Sequence, residues 1–354
     1  MLFRLRETGV WEAQTPCMAE LLHYSVKSGF PRLQETAFHV MIKTTKMRCG
    51  GDMCMNCCAC GWEVTMSKYI IMTDTSADLP ESYLAEHQIP VASLHYLLDG
   101  VQYGEEKKLD EKTFYRLMRE GKMPTTNAVN PETVASLMED KLKQELDILY
   151  IAFSSGLSST YQNTCIAADE MREKYPDRTI IVIDSLCASL GQGLLVHKAV
   201  MMKEKGMPLD ENAKKVRELI PHICHQFTVD DLHHLHRGGR VSKATAIVGT
   251  MMNIKPVMHV DDEGKLCATG TVRGRKKALN TLVSNMCKDI KGYETEDDVI
   301  FISHGDCLED AEYVADRVKA ATGIQNFIIN YVGPVIGAHS GPGTLALFFV
   351  GETR

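Results

Sequence analysis

The segment from Phe153 to Tyr161 is rich in hydroxyl side chains: Ser154, Ser155, Ser158, Ser159 and Thr160. It follows an apolar run, residues 147–153, that is typical of a buried parallel strand, and it precedes a predicted helix. Ligands of open α/β sheets gather at the carboxyl ends of strands, and the first N–H groups of a helix favour an anion. The segment therefore predicts a site that holds a carboxylate by neutral donors. The alternative is helix N-capping alone, for which one serine suffices.

Two further segments place polar groups in constrained surroundings. Thr126 lies in a loop bounded by Pro124 and Pro131, and we predict a fixed, non-helical segment there, ahead of a helix capped by Asn130. His339 lies among glycines that allow close backbone approach, and its imidazole could hydrogen-bond a carboxylate. The alternatives are a simple connecting loop and a structural histidine.

Basic residues concentrate in two short stretches. Arg237 and Arg240 flank a Gly-Gly pair, and Arg273 begins a run that continues to Lys277. Such runs are usually a solvated charged face. The functional interpretation is a lip that receives phosphate or docks an acidic partner. Histidines precede the first stretch, but the sequence shows no accompanying carboxylate pattern for a metal site; they are His222, His225, His233, His234 and His236.

Several nucleotide-binding and hydrolase signatures are missing from the sequence. It contains no Gly-x-x-x-x-Gly-Lys-Ser/Thr phosphate loop, no Gly-x-Gly-x-x-Gly after a strand and no Gly-x-Ser-x-Gly elbow. The chain is therefore not expected to bind ATP or a dinucleotide itself.

The bulk properties restrict the class of protein. The net charge of −7 over 354 residues gives no basic field for nucleic acid or an anionic membrane. No apolar run reaches the roughly 20 residues that span a bilayer. Twelve cysteines without an export signal predict reduced thiols in a cytoplasm.

The pattern of strands and helices predicts an α/β fold with two domains after an N-terminal extension. Strands alternate with helices over residues 66–223, which predicts a parallel sheet with helices on both faces. Residues 224–354 contain a hairpin signal at Asp261–Gly264 and a mixture of strands and helices, which predicts a smaller α+β domain.

Residues 1–65 differ in composition from the rest of the chain. They contain half of the cysteines, five of them between Cys49 and Cys60. The spacing Cys54-x-x-Cys57 could belong to a zinc or iron–sulfur site, but no second Cys/His pair follows at a fixed offset. We expect instead an extension that is unstructured or read through upstream of a start at Met66.

The ordered segments taken together resemble the DegV family, whose members are bacterial fatty-acid-binding proteins that serve fatty-acid kinases. The resemblance covers Met66–Arg354 and rests on short segments that occur in the family's order. These are Thr73–Asp78, the loop at Thr126, Ser154–Tyr161, Ile183–Ser185, Arg237–Ser242 and Gly337–Gly343.

The resemblance implies a long-chain fatty acid in a buried tunnel between two domains, with its carboxylate held by Thr126, Ser158 and His339, beside Ser155 and Ser159. It also implies that Arg240, Arg273 and Arg237 face a separate ATP-binding kinase, that the chain is a carrier and no enzyme, and that it needs no cofactor or metal. Asn127-Ala-Val129 and Ser159 depart from the family pattern, which leaves the chain-length preference open.

A serine hydrolase is the alternative function. Ser158 would be its nucleophile and His339 its base. A metal-sensing or redox role resting on Cys49–Cys60 is a third hypothesis.

Overall fold

The computed structural model describes residues 68–241, 253–293, 299–352 and 354, together with two short strands near the N-terminus. The chain divides into two units, Met1–Thr65 and Met66–Arg354. In the first unit, strand β1 (Phe3–Leu5) pairs antiparallel with β2 (Trp11–Ala13). The cysteines from Cys49 to Cys60, and with them the hypothesis of a metal or redox site, lie outside the described residues.

The second unit begins with alternating strands and helices. In chain order they are β3 (Tyr69–Asp74), α1 (Glu81–Glu86), β4 (Val91–Ala92), β5 (His95–Leu98), β6 (Val101–Tyr103), α2 (Glu111–Arg119), β7 (Thr125–Asn127), α3 (Pro131–Leu142), β8 (Asp147–Ala152), α4 (Thr160–Lys174), β9 (Ile180–Asp184), α5 (Leu190–Glu204) and α6 (Leu209–Leu219). Short 3₁₀ helices lie at Thr75–Ala77 and Ile220–His222.

The remaining elements are richer in antiparallel strands. They are β10 (Ile223–Thr228), α7 (Leu232–Arg237), β11 (Ile254–Val260), β12 (Leu266–Arg273), α8 (Arg275–Asp289), β13 (Val299–His304), α9 (Leu308–Thr322), β14 (Asn326–Tyr331), α10 (Pro334–Ser340) and β15 (Leu345–Val350).

A four-stranded parallel sheet, β4-β3-β8-β9, forms the centre of the first half. All six residues of β8 are buried, which explains why this strand is a continuous apolar run. Ile148 and Tyr150 face a core shared with α3 and α4, while Leu149 and Ile151 face a core shared with α5. The expected α/β architecture, a parallel sheet with helices on both faces, is confirmed.

A six-stranded sheet of order β12-β11-β10-β15-β13-β14 forms the second half. Only its β13–β14 pair is parallel, and β11 and β12 form the predicted hairpin. Ile302 and Leu347 lie on the face covered by α8 and α9. On the other face, Phe301 and Phe348 share a core with α5, so this helix lies between the two large sheets. Because α5 contacts both sheets, the predicted division into two domains after residue 223 stays a prediction.

Asp74 joins the ends of two neighbouring parallel strands. Its buried carboxylate accepts hydrogen bonds from the backbone N–H of Ser76 at 3.1 Å and of Phe153 at 3.0 Å. Ser76 is in the turn after β3, and Phe153 follows β8 directly. The carboxylate thus holds the start of the serine-rich segment against the Thr73–Asp78 segment.

The sequence pattern predicts one strand over residues 91–97 and a non-helical loop around Thr126, and the structure differs in detail at both places. A single strand over residues 91–97 is in fact two strands, because the chain breaks its pairing at Ser93 and Leu94 before β5 joins another sheet. The predicted loop around Thr126 contains strand β7, which pairs with β5 so that Tyr96 faces Thr126. A strand of three residues depends on its partner strand, which a local pattern does not reveal.

Candidate ligand cavity

A cavity of about 330 Å³ lies between the first and second halves of the larger unit. This volume is at the lower end of the roughly 300–1,000 Å³ of small-molecule sites. Most of its lining is apolar, and the side chains come from the six-stranded sheet and from segments that follow the strands of the four-stranded sheet. Representative apolar lining residues are Phe153, Leu157, Ala188, Phe227, Ala346 and Phe348.

Thr126 and His339 meet at this cavity although they are far apart in the chain. The Oγ1 atom of Thr126 lies 2.7 Å from Nε2 of His339. Strand β7 positions the threonine through its pairing with β5, and α10 positions the histidine near its own C-terminus. Nδ1 of His339 has no hydrogen-bond partner within the described ranges. It lies against Gly238, where a Cβ would clash with Nδ1, so only glycine fits beside the ring.

The imidazole of His339 is electrically neutral near pH 7. Burial lowers its pKa, and the positive charges of Arg240 and Arg237 lower it further, to about 4. The ring therefore offers an uncharged hydrogen-bonding group to the cavity.

The serine-rich segment forms a tight turn that brings two of its serines to the cavity. The N–H of Ser158 donates to the carbonyl of Ser154 at 3.1 Å, and Ser158 Oγ lies 2.9 Å from Thr160 Oγ1. Ser158 and Ser159 both line the cavity. Ser159 occupies the N-cap position of α4 but makes no side-chain capping bond. Ser155 is not a lining residue, and its N–H donates to Asp184 Oδ1 at 3.1 Å.

A turn of the second half closes over this segment. Ser154 Oγ donates to the carbonyl of Gly264 at 2.9 Å, in the turn between β11 and β12. A Cβ on Gly156 would clash with the backbone carbonyls of Glu263 and Gly264, so the two backbones approach here as only glycine allows.

The three predicted kinase-facing arginines occupy different positions. Arg240 lines the cavity, and its guanidinium donates to the carbonyls of Leu157, at 3.1 Å, and Gly238. Arg237 is exposed, with Nη2 donating to the carbonyl of Ala338 at 3.1 Å. Arg273 is exposed at the end of β12 and does not line the cavity. Only Arg240 is thus in the cavity wall.

Sequence reasoning did not identify the buried polar network that borders the cavity. Ser189 Oγ lies 2.5 Å from Asp78 Oδ2 and 3.0 Å from Ser303 Oγ. Ser189 and Ser303 line the cavity, and Asp78 lies behind them. Ser303 belongs to the apolar strand β13. The sequence signal that could have indicated its role is that a polar residue lies on the same face of this strand as the buried Phe301. Burial raises the pKa of the Asp78 carboxyl to about 8, against the opposing effect of the Ser189 hydrogen bond.

Replacing Asp78 with Asn is expected to reduce the pH dependence of the free energy of unfolding. The unfolded carboxyl has a pKa of about 4, whereas the folded one has a pKa of about 8. Between these values the folded protein retains a proton that the unfolded chain releases, so stability falls as pH rises. Urea unfolding at a series of pH values would measure this slope. An unchanged slope in the Asp78→Asn variant would exclude Asp78 as its source.

The catalytic pair of the hydrolase alternative is not assembled. Ser158 Oγ contacts Thr160, and His339 Nε2 contacts Thr126; the described residues show no hydrogen bond between Ser158 and His339. Among the described residues, no acidic side chain accepts a hydrogen bond from Nδ1 of His339 to orient the ring. A serine nucleophile needs both contacts, so this geometry does not favour acyl hydrolysis.

The histidines that precede Arg237 in the sequence make separate contacts. His225 lies within β10, where Nε2 accepts from the N–H of Ala188 at 3.3 Å, and Nδ1 of His222 lies 3.0 Å from the carbonyl of Gly351. Over the described ranges, no group of three or more His, Cys, Asp or Glu side chains is arranged to hold a metal ion.

None of the helices described is long and apolar enough to span a membrane.

Comparison with known proteins gives consistent matches to one family. Residues 68–352 match the family model described as "Uncharacterised protein, DegV family". A DegV domain-containing protein of Clostridium perfringens is 43% identical over 291 residues, which are 82% of this chain and 99% of the relative.

Two solved structures extend the similarity to the fold. A fatty-acid-binding DegV family protein from Thermus thermophilus has a TM-score of 0.73 and 28% identity, over 80% of this chain and 99% of that one. A fatty-acid-binding DegV family protein from Streptococcus agalactiae has a TM-score of 0.71 and 30% identity, over 81% of this chain and 100% of that one. The family model thus matches residues 68–352, and the structural similarity covers 80% of the chain. The chain belongs to the DegV family.

Proposed function

We propose that the chain binds a long-chain fatty acid, with the alkyl tail in the cavity and the carboxylate at Thr126, Ser158 and His339. The observation that carries the proposal is the meeting of Thr126 and His339, 2.7 Å apart, at one side of a mainly apolar cavity. Ser158 and Ser159 line the same cavity. The fatty-acid binding stated for the relatives from Thermus thermophilus and Streptococcus agalactiae supports it.

The tail and the headgroup contribute differently to the free energy of binding. A 16-carbon acid has about 14 methylenes, and burial of each contributes about 0.8 kcal/mol, so the tail supplies on the order of 10 kcal/mol before binding costs. A carboxylate without partners in the same site would cost several kcal/mol. The hydroxyl and imidazole groups therefore offset that cost and define where the acid end lies, while the tail provides most of the affinity.

Charge around the headgroup is also suited to an anion. His339 is neutral near pH 7, and the guanidinium of Arg240 lies in the cavity wall, held by the carbonyls of Leu157 and Gly238. An approaching carboxylate thus meets neutral donors and one fixed positive charge. Binding of the anion would in turn raise the pKa of His339, because an opposite charge favours protonation.

The second part of the proposal is that the protein is a carrier that presents the carboxylate to a separate ATP-dependent kinase. In that reaction a carboxylate oxygen would attack the γ-phosphorus of ATP, ADP would leave, and an acyl phosphate would form. The sequence has no phosphate loop of its own. Arg237 and Arg273 are exposed, and Arg240 lies beside the headgroup, so all three could meet an acidic partner or the transferred phosphoryl group.

Extraction of the purified protein followed by lipid mass spectrometry tests the binding proposal. We expect a long-chain fatty acid at close to one molecule per chain. Repeated recovery of protein that contains no lipid, and that takes up none from added palmitic acid, would refute it.

Replacing Arg273 with Ala is expected to slow kinase-dependent phosphorylation of the bound acid at least about tenfold, since an arginine–phosphate or arginine–carboxylate contact contributes roughly 1.5–3 kcal/mol. Affinity for the fatty acid should not change, because Arg273 does not line the cavity. Acyl phosphate formation with the partner kinase and direct binding would be measured in parallel. Arg317→Ala, which removes an exposed arginine of α9, is the matched control. Equal rates of acyl phosphate formation for the two variants would show that Arg273 does not contact the kinase or the phosphoryl group.

A further inference from the structure

The cavity contains a second group of hydroxyl side chains, apart from those assigned to the carboxylate. Ser189, Ser303 and Ser340 line the cavity and are only 4%, 0% and 5% exposed, respectively. Thr126 and Ser158, by comparison, are half-buried. We call these three buried side chains the inner hydroxyl group, to distinguish them from the half-buried Thr126 and Ser158.

Ser303 has hydrogen-bonding capacity to spare. Ser189 Oγ is 2.5 Å from Asp78 Oδ2 and 3.0 Å from Ser303 Oγ, so the three groups form a chain that ends at Ser303. Each serine has one hydroxyl proton. If Ser189 donates to Asp78, then Ser303 donates to Ser189 and keeps its lone pairs; if Ser189 donates to Ser303, the proton of Ser303 is unused. Either arrangement leaves Ser303 one bond to make inside the cavity.

The hydroxyl of Ser340 is less satisfied than that of Ser303. Its Oγ has no hydrogen-bond partner among the residues that the structure describes, although the side chain is buried. Ser340 ends α10, and the segment after it meets the end of β13: the N–H of Gly343 donates to the carbonyl of Gly305, and the N–H of Gly305 donates to the carbonyl of Thr344, both at 2.7 Å. Ser303 and Ser340 are therefore on two segments that are joined to each other.

A plain alkyl chain does not satisfy these hydroxyls. It would displace water from the cavity and leave Ser340 without a partner, and an unpaired buried hydroxyl costs free energy. A ligand hydroxyl is both donor and acceptor, so it could bond Ser340 and Ser303 together. A site built in this way discriminates against the analogue that lacks the hydroxyl.

We propose that the cavity selects an acyl chain that bears a hydroxyl group along its length, bound at Ser340 and Ser303. The inference rests on the proposed binding of a fatty acid and specifies the class of acid. Asp78 and Ser189 act as positioning residues, because they orient Ser303 from behind the cavity wall.

Competition binding between stearic acid and hydroxystearic acids, with the hydroxyl at different positions along the chain, tests this proposal. At least one positional isomer should bind about tenfold more tightly than stearic acid, the effect of one additional hydrogen bond in a buried site. In the Ser340→Ala variant the ratio of the two affinities should fall close to one. Ser303→Ala is a second variant that should lower the same ratio.

Thr228→Val is the matched control. Thr228 Oγ1 is also buried and has no partner in the described ranges, but Thr228 does not line the cavity, so its loss should preserve the ratio. If no isomer binds more tightly than stearic acid, or if the preference survives both Ser340→Ala and Ser303→Ala, the inference is wrong while fatty-acid binding stands. If neither stearic acid nor any isomer binds, the proposed function itself is wrong.

Discussion

Replacing Thr126 with Val and Ser158 with Ala in the same protein is expected to lower the affinity for palmitic acid at least about a hundredfold. Each hydrogen bond to a charged group contributes roughly 1.5–3 kcal/mol, so the loss of two corresponds to about 3–6 kcal/mol. Valine keeps the shape of threonine without its donor, and the backbone of β7 should remain paired with β5. Isothermal titration calorimetry with palmitic acid would measure the loss directly.

Thr125→Val is the control for this double variant. Thr125 is the neighbouring residue of β7, is exposed and does not line the cavity, so its replacement should leave the affinity unchanged. If the double variant binds palmitic acid as the unaltered protein does, the carboxylate is held elsewhere. If Thr125→Val weakens binding as much, the effect of the double variant comes from β7 as a strand and not from the Thr126 hydroxyl.

Replacing Ala346 with Phe is expected to lower the affinity for long-chain acids by at least about two hundredfold. Ala346 lines the cavity from the middle of the six-stranded sheet, with Phe227 opposite it on β10 and Ser303 opposite it on β13. A phenyl ring at this position would fill space that the tail needs. Exclusion of four to six methylenes, at about 0.8 kcal/mol each, would cost about 3–5 kcal/mol, or roughly two hundredfold to a few thousandfold in affinity.

The comparison of chain lengths distinguishes a shortened cavity from a damaged fold. The Ala346→Phe variant should lose affinity for palmitic acid far more than for octanoic acid, because a short tail does not reach the excluded volume. Ala188→Val, a smaller change at another lining residue, should show the same trend more weakly. A uniform loss for both acids, together with a lowered melting temperature, would instead indicate overpacking of the sheet.

Sequence patterns predicted the elements whose own residues carry the signal. The buried strand β8 is visible as a continuous apolar run because both of its faces are covered. The hairpin of β11 and β12 was predicted from its turn at Asp261–Gly264, which is a local feature. Strand β7 was missed because only its pairing with β5 makes it a strand.

The same distinction applies to the cavity. Local patterns marked the segments of Ser158, Ser159, Thr126 and His339, the resemblance to the family assigned these residues to the carboxylate, and the structure places all of them in the cavity lining. Ser155 was selected on the same grounds but is turned toward Asp184 through its N–H. The inner hydroxyl group was not found, because a serine within an apolar strand or at a helix end has no local signature of a cavity.

The sequence by itself determined the class of fold, the order of most strands and helices, and the segments that carry hydroxyl and imidazole groups. These features depend on periodicity and residue type within short stretches of chain. Only the tertiary structure decided that Thr126 contacts His339, which lies 213 residues further along, and that Ser189, Ser303 and Ser340 share the cavity with them. Such proximities arise from the packing of α5 between two sheets and of α10 against β7, where each contact depends on all the others.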